Sequence, residues 1–290
     1  LVASGGAFIL GSAYNLGSMT IGELSGASGS VRTDWADGGT NGKRTLIVDQ
    51  ATDTTYSGTF NEGTSSRTLD LIKTGAGTLT LSGNSNSTWT GGNAIITGGT
   101  LKLGHAHAIG GNGLYAQGFT LRNGALDING QTNFTFTGGS AAWLVNAEGI
   151  TLRGQASGVM EIKNTGASAG FSLFNFNNAI TYDATNNPGT ATISANWYGT
   201  GASGVVTKNI TVGDSSATTV ELDFTGQMSQ TAVADGYQTT LVKLGSGAMR
   251  ISAANYFPRL QVDAGTVIVN HANALGASRS GGYSNLVTVN

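Results

Sequence analysis

Lys73-Thr-Gly-Ala-Gly-Thr-Leu-Thr-Leu-Ser-Gly-Asn84, followed by Trp89-Thr-Gly-Gly92 and Gly98-Gly-Thr-Leu-Lys-Leu-Gly104, is the stretch that decides the fold. Leu79 and Leu81, then Leu101 and Leu103, alternate with polar residues, the period of a strand with one face inward. Gly75, Gly77, Gly98 and Gly99 punctuate the runs as turn residues. The stretch returns, altered, as Lys243-Leu-Gly-Ser-Gly-Ala-Met-Arg-Ile-Ser252 and Ala264-Gly-Thr-Val-Ile-Val-Asn-His-Ala272. Gly245, Gly247, Ile251 and Gly265 match turn and strand positions of the first copy, and Val267 and Val269 match Leu101 and Leu103. An internal repeat of this kind is the signature of a stacked architecture. Leu79, Leu81, Leu101, Leu103, Ile251, Val267 and Val269 are therefore expected to face a common core.

Composition points the same way. The chain has 290 residues with 46 glycines, two prolines and no cysteine, which excludes a disulfide-built scaffold. Only 10% of residues are charged, so Thr, Ser and Asn must supply the polar surface. A net charge of −2 without a Lys/Arg cluster gives no basis for nucleic-acid binding. No apolar run is long enough to span a membrane as a helix. Leu1-Val-Ala and Ala7-Phe-Ile-Leu10 lack a basic flank, so no signal peptide is visible in the sequence.

Short alternating runs fill the chain, including Phe119-Thr-Leu121, Leu126-Asp-Ile128, Met160-Glu-Ile162 and Val220-Glu-Leu-Asp-Phe224. Asn41-Gly42, Asn112-Gly113, Asn123-Gly124 and Asn129-Gly130 are expected at turns with positive φ. Strands without intervening helices exclude doubly wound α/β folds and leave a parallel solenoid or an antiparallel sandwich or barrel. The long-range repeat favours the solenoid. Coils of about 20–25 residues would give roughly a dozen coils and a rod on the order of 55 Å long. Residues 1–290 are expected to form one domain, with an irregular coil or protruding loop at about 165–200.

The same two blocks resemble the autotransporter-associated β-strand repeat, also called the passenger-associated transport repeat, of bacterial secreted proteins. The resemblance spans 71–110 and, in weaker form, 241–276; Trp89 stands where that family usually has tyrosine. It implies an all-β, right-handed parallel β-helix (β-solenoid) at an extracellular or bacterial cell-surface location. It implies no single ligand or activity.

Several patterns evoke chemistry. Gly166-Ala-Ser-Ala-Gly170 fits a nucleophile elbow, with His271 downstream and Asp183 or Asp223 between, but that motif needs a strand-turn-helix and strand follows here. Asp37-Gly-Gly-Thr-Asn-Gly-Lys43 fails as a phosphate loop, because Asp37 stands at the first glycine and Arg44 at the magnesium-binding hydroxyl. His105 and His107 share one side of an extended segment, but two ligands do not close a metal site. His271 repeats only the first of them, so a turn-capping role is the expectation. Gly110-Gly-Asn-Gly113 lacks the aspartate of a calcium-binding repeat. No metal or other cofactor is expected. Asp34 with Asp37, and Asp49 with Asp53, are the close carboxylate pairs, and the acids are expected to be mostly solvated surface.

Four tryptophans stand at 35, 89, 143 and 197. Trp35, Trp89 and Trp197 each precede a glycine within three residues and are the candidate platforms for stacking sugars. Packing at a coil corner is the plainer expectation for a large aromatic. Three functional classes follow: a structural extracellular segment without chemistry, an adhesin-type module binding a surface glycan or protein, and a β-helix polysaccharide lyase or hydrolase. The first is favoured, with no catalytic residue. The apolar Leu1–Leu10 and strand-like Asn285–Asn290 lack polar caps, so the expected partner is a second copy, in a head-to-tail homo-oligomer or filament, or the continuation of a longer solenoid.

Overall fold

The computed structural model of the protein describes residues 1, 5–10, 17–33, 42–62, 67–86, 88–110, 115–116, 119–129, 134–135, 142–146, 150–156, 158–166, 172–176, 179–199, 204–230, 237–255, 259–276 and 286–290. They form a parallel β-solenoid. An eleven-stranded sheet begins at Ser18–Ile21 and rises in sequence order through Gly42–Asp49, Arg67–Thr74, Ala94–Ile96 and onward to Arg259–Val262 and Leu286–Val289. A nine-stranded sheet rises beside it from Thr54–Tyr56 through Thr78–Leu81 and Thr100–Leu103 to Ala248–Ile251 and Thr266–Val269. A third side carries a three-stranded and a six-stranded sheet. Neighbouring strands pair in parallel, apart from Phe134–Thr135, which runs antiparallel to Ala142–Asn146. Among the described residues there is no helix long and apolar enough to cross a membrane.

Alternation sets the register. Leu79 pairs with Leu101 and Leu81 with Leu103, and all four are essentially fully buried. Thr80 pairs with Lys102 on the other face. Leu46, Leu71 and Ala94 form the matching inward column of the long sheet. Each strand alone would leave these side chains half-covered; the coil on either side completes their burial, so the core is one continuous column. Small hydroxyl ladders run outside it, such as Ser57 Oγ to Ser82 Oγ at 2.7 Å and Thr190 Oγ1 to Thr218 Oγ1 at 2.9 Å.

The structure corrects four expectations. Coil length is not uniform: Leu46 to Leu71 spans 25 residues and Leu71 to Ala94 spans 23, but Ile150, Ile180 and Ile210 succeed one another at 30 and Lys208 pairs with Leu241 at 33. The described residues of the segment 165–200 form regular coils rather than an irregular coil or protruding loop. The segment carries the strands Ser172–Phe176, Ala179–Tyr182, Ala191–Ile193 and Trp197–Gly199, with Ile180, Tyr182, Ala191 and Ile193 in the core. Its alternation suffices for stacking without the glycine-rich signature. Val269 pairs with Ile251 but is 48% exposed, because Thr266–Val269 is the outermost described strand of its sheet and no strand among the described residues covers it; Val267 is half-buried. Gly42 opens a strand rather than a turn, whereas Gly124 and Asn129 have φ of 98° and 47°. Asn41, Gly130 and the pair Asn112-Gly113 lie outside the described residues.

Candidate functional site

The most constrained feature lies at the corner where the chain passes from the long sheet to the nine-stranded one. Leu69, Leu71 and Lys73 follow one another at the inward phase of Arg67–Thr74, so Lys73 is carried into the core and is fully buried. Its Nζ donates to the carbonyls of Thr74 at 2.7 Å, Gly75 at 3.0 Å and Gly98 at 3.1 Å. An ammonium has three N–H donors, and all three are used. Burial pushes the Lys73 ammonium down to about 8, opposed by the charges of Asp49 and Asp53.

Glycine makes this corner possible. Gly75 and Gly99 have φ of 74° and 60°, and a Cβ on Gly99 would stand 2.4 Å from the Gly77 carbonyl oxygen. Gly98 has more room, with 3.3 Å to the Gly75 oxygen, while Gly77 is pressed against Thr52. The second copy repeats the arrangement. Lys243 is fully buried and donates to Leu244 at 3.0 Å, Gly245 at 2.6 Å and Ala264 at 3.0 Å. Gly245 and Gly265 have φ of 78° and 72°, and Gly247 is packed against the Gly213 carbonyl. Burial lowers the pKa of Lys243 as well. A lysine at the inward phase of both copies was the signal that could have identified this pair.

The copies agree beyond the corner. Ser85 Oγ accepts the Phe60 N–H at 3.0 Å, and Asn255 Oδ1 accepts the Met228 N–H at 2.7 Å. His105 Nδ1 accepts the His107 N–H, and His271 Nδ1 accepts the Asn273 N–H, each at 3.0 Å. Both histidines thus cap a turn. The rings of His105 and His107 are 5.8 Å apart, and burial, with the neighbouring His105, lowers the pKa of His107. No group of three or more potential metal ligands occurs among the described residues.

Several acids are not solvated surface, contrary to expectation. Glu62 is buried and accepts the N–H groups of Leu69 at 2.8 Å and of Thr90 and Gly91 at 2.7 Å. Glu221 is buried and accepts those of Ser215 at 3.1 Å and Ala248 at 2.6 Å. Asp70 accepts the Asn93 N–H and pairs with Lys43 at 2.5 Å. Asp223 pairs with Arg250 at 2.5 Å. Glu62, Glu221 and Asp70 satisfy backbone amides at or near coil ends, whereas Asp223 holds the side chains of Arg250 and Ser252. Sequence reasoning missed them because coil ends have no periodicity to read. Of the paired carboxylates, Asp53 accepts the Thr78 N–H at 2.6 Å, and Asp49 lies beside Gly75. Asp34, Asp37 and Ser168 lie outside the described residues.

The tryptophans correct the sugar-platform expectation. Trp89 is fully buried, donates its indole N–H to the Leu69 carbonyl at 2.6 Å, and packs on Phe60 with ring centroids 4.9 Å apart. Trp197 is 1% exposed. Neither presents a face to solvent, so neither can stack on a sugar. Trp35 lies outside the described residues.

Compared with known families, residues 71–103 match the model of the passenger-associated-transport-repeat, which ends on Leu103 and includes Lys73, Gly75, Gly77, Gly98 and Gly99. The chain therefore contains this repeat, folded as part of a parallel β-solenoid. No curated protein and no solved structure matches the chain.

Proposed function

We propose that the chain is a non-catalytic, extracellular β-solenoid segment of an autotransporter-like passenger, exported to a bacterial surface. The coincidence of the repeat match at 71–103 with the lysine-glycine corner carries this reading. The matched lysines of the two copies are fully buried and tie successive coils together, which fits a spine rather than a reactive site. Lys73 and Lys243 have every donor turned to a carbonyl, and Glu62 and Glu221 every described bond turned to an amide. The purified chain should therefore give no turnover of polygalacturonate, alginate or ester substrates, with or without calcium. Turnover that disappears in Asp49→Asn or Ser168→Ala would overturn the non-catalytic reading.

A second element of this proposal is end-to-end association. Thr266–Val269 and Leu286–Val289 are the outermost strands of the two long sheets, and Val269, Val287 and Val289 are exposed there by 48%, 41% and 74%. Such edges favour pairing with further coils, whether of the same polypeptide or of a second copy. Contact between unlike ends of like subunits propagates as an open filament unless it closes. Light scattering over a dilution series should show larger species that are lost in Val287→Lys/Val289→Lys; a strictly monomeric protein at high concentration would contradict self-association.

A further inference from the structure

On the long sheet's flank, at the last strand residue or one residue past it, successive coils place Thr74, Thr97, Arg122, Arg153 and Asp183 in a column. The backbone ladder continues through it. The N–H of Thr97 donates to Lys73, that of Arg122 to Ile96, that of Arg153 to Leu121 and that of Asp183 to Leu152. Arg122 and Arg153 therefore stand on adjacent rungs, about 4.8 Å apart in the backbone. Arg153 is neutralised, its Nε donating to Asp183 Oδ2 at 2.6 Å and its Nη2 bonding the same oxygen. Arg122 is exposed and has no acidic partner among the described residues. Like charges directly opposite each other across a sheet are destabilising. The column thus holds one uncompensated guanidinium that an anion would relieve.

That guanidinium lines a groove of about 510 Å³ shared with Thr74, Thr97, Asn123, Arg153 and Gln155. Apart from the arginines, these side chains are neutral hydroxyls and amides, which both donate and accept hydrogen bonds. We infer that this groove is a binding subsite for an acidic saccharide. One excess positive charge suits one carboxylate, and the surrounding hydroxyls and amides suit sugar hydroxyls. The guanidinium fork matches a planar carboxylate in a bidentate manner. A phosphate, at nearly two negative charges, would leave the groove negative. The site is independent of the buried tryptophans, so it needs no aromatic stacking.

Calorimetric titration of the full chain at low salt tests this, using tetragalacturonate, a matched neutral galactose oligomer, a sulfated galactose oligomer and polyglutamate. Tetragalacturonate should bind, and Arg122→Gln should weaken it at least tenfold, the effect of losing one bidentate charged contact. Lys163→Gln, whose ammonium sits at 3.7 Å from Glu161 in the nine-stranded sheet, should leave affinity unchanged. Binding of the sulfated oligomer with the same Arg122 dependence would also support the site and identify sulfate esters as the anion. The inference is overturned if neither anionic oligomer binds at millimolar concentration or if the neutral oligomer binds equally well. It is likewise overturned by an Arg122→Gln that matches wild type, a Lys163→Gln equally impaired, or a preference for polyglutamate.

Discussion

Lys73 Nζ donates a hydrogen bond to the carbonyl of Gly98, a residue 25 positions later and one coil further along the solenoid. Desolvating an ammonium costs several kcal/mol, and the cost is offset only where its donors are satisfied. Here they are, by carbonyls that the glycine corner leaves pointing inward. The lysine therefore ties the corner of one coil to the corner of the next, and Lys243 does the same to Ala264.

Removing that tie has a defined cost. Lys73→Met keeps the length of the side chain but strips a donor from each of three carbonyls, which should destabilise the fold by about 1–3 kcal/mol at neutral pH. Urea unfolding measures it. A neutral or stabilising effect would mean that the carbonyls gain nothing from the ammonium.

The same pair of proteins should separate further with pH. The folded-state pKa of Lys73 is lowered to about 8 from 10.5, so above 8 the folded protein binds fewer protons than the unfolded chain. Stability contributed by this group is therefore lowest below pH 8 and rises with pH towards 10.5. The stability difference between wild type and Lys73→Met should widen from pH 7.5 to 9.5. Parallel curves over that range would show that the ammonium titrates as if solvated.

Glycine at the corner should not be interchangeable. Gly99→Ala puts a Cβ 2.4 Å from the Gly77 oxygen at a φ of 60°, whereas Gly98→Ala meets its nearest atom at 3.3 Å. The first should cost about 2 kcal/mol or more, combining backbone strain with a clash, and the second clearly less. Melting temperatures of the two variants that coincide would contradict the corner geometry.

Along a strand, neighbours should differ as sharply. Leu81 is 1% exposed and Thr80 lies on the opposite face. Leu81→Asp places an unpaired carboxylate in the core and should cost about 4 kcal/mol or lead to a protein that no longer folds. Thr80→Asp should change stability by about 0.5 kcal/mol or less. Equal losses would mean that the inward face is assigned wrongly.

What the sequence disclosed and what it hid divide along physical lines. Alternation reports which side of a strand faces inward, so Leu79, Leu81, Leu101, Leu103 and Ile251 were legible. It says nothing of what lies beyond a strand, so the exposure of Val269 was not. The repeat signal comes from glycine corners, and it fades between residues 113 and 240, where coils lengthen to 30 residues or more and corners are built differently. The buried lysines break the habit of reading charge as surface. The capping roles of Glu62 and Glu221 are completed by the amides of Thr90, Gly91 and Ala248 on the neighbouring coil, a relationship that no local spacing encodes.

Parallel stacking in this register is the claim on which the rest depends, and the chain's lack of cysteine makes it directly testable. Thr80 pairs with Lys102, and Lys102 with Asp127 on the following coil. Adjacent rungs stand about 4.8 Å apart, within disulfide reach, and alternate rungs at about twice that distance are beyond it. Under mild oxidation, Thr80→Cys/Lys102→Cys should form an intramolecular disulfide, read as a loss of two hydrogens by intact-mass analysis of the monomer, while Thr80→Cys/Asp127→Cys should retain free thiols. No cross-link in the first variant, or equal cross-linking in both, would contradict the solenoid register.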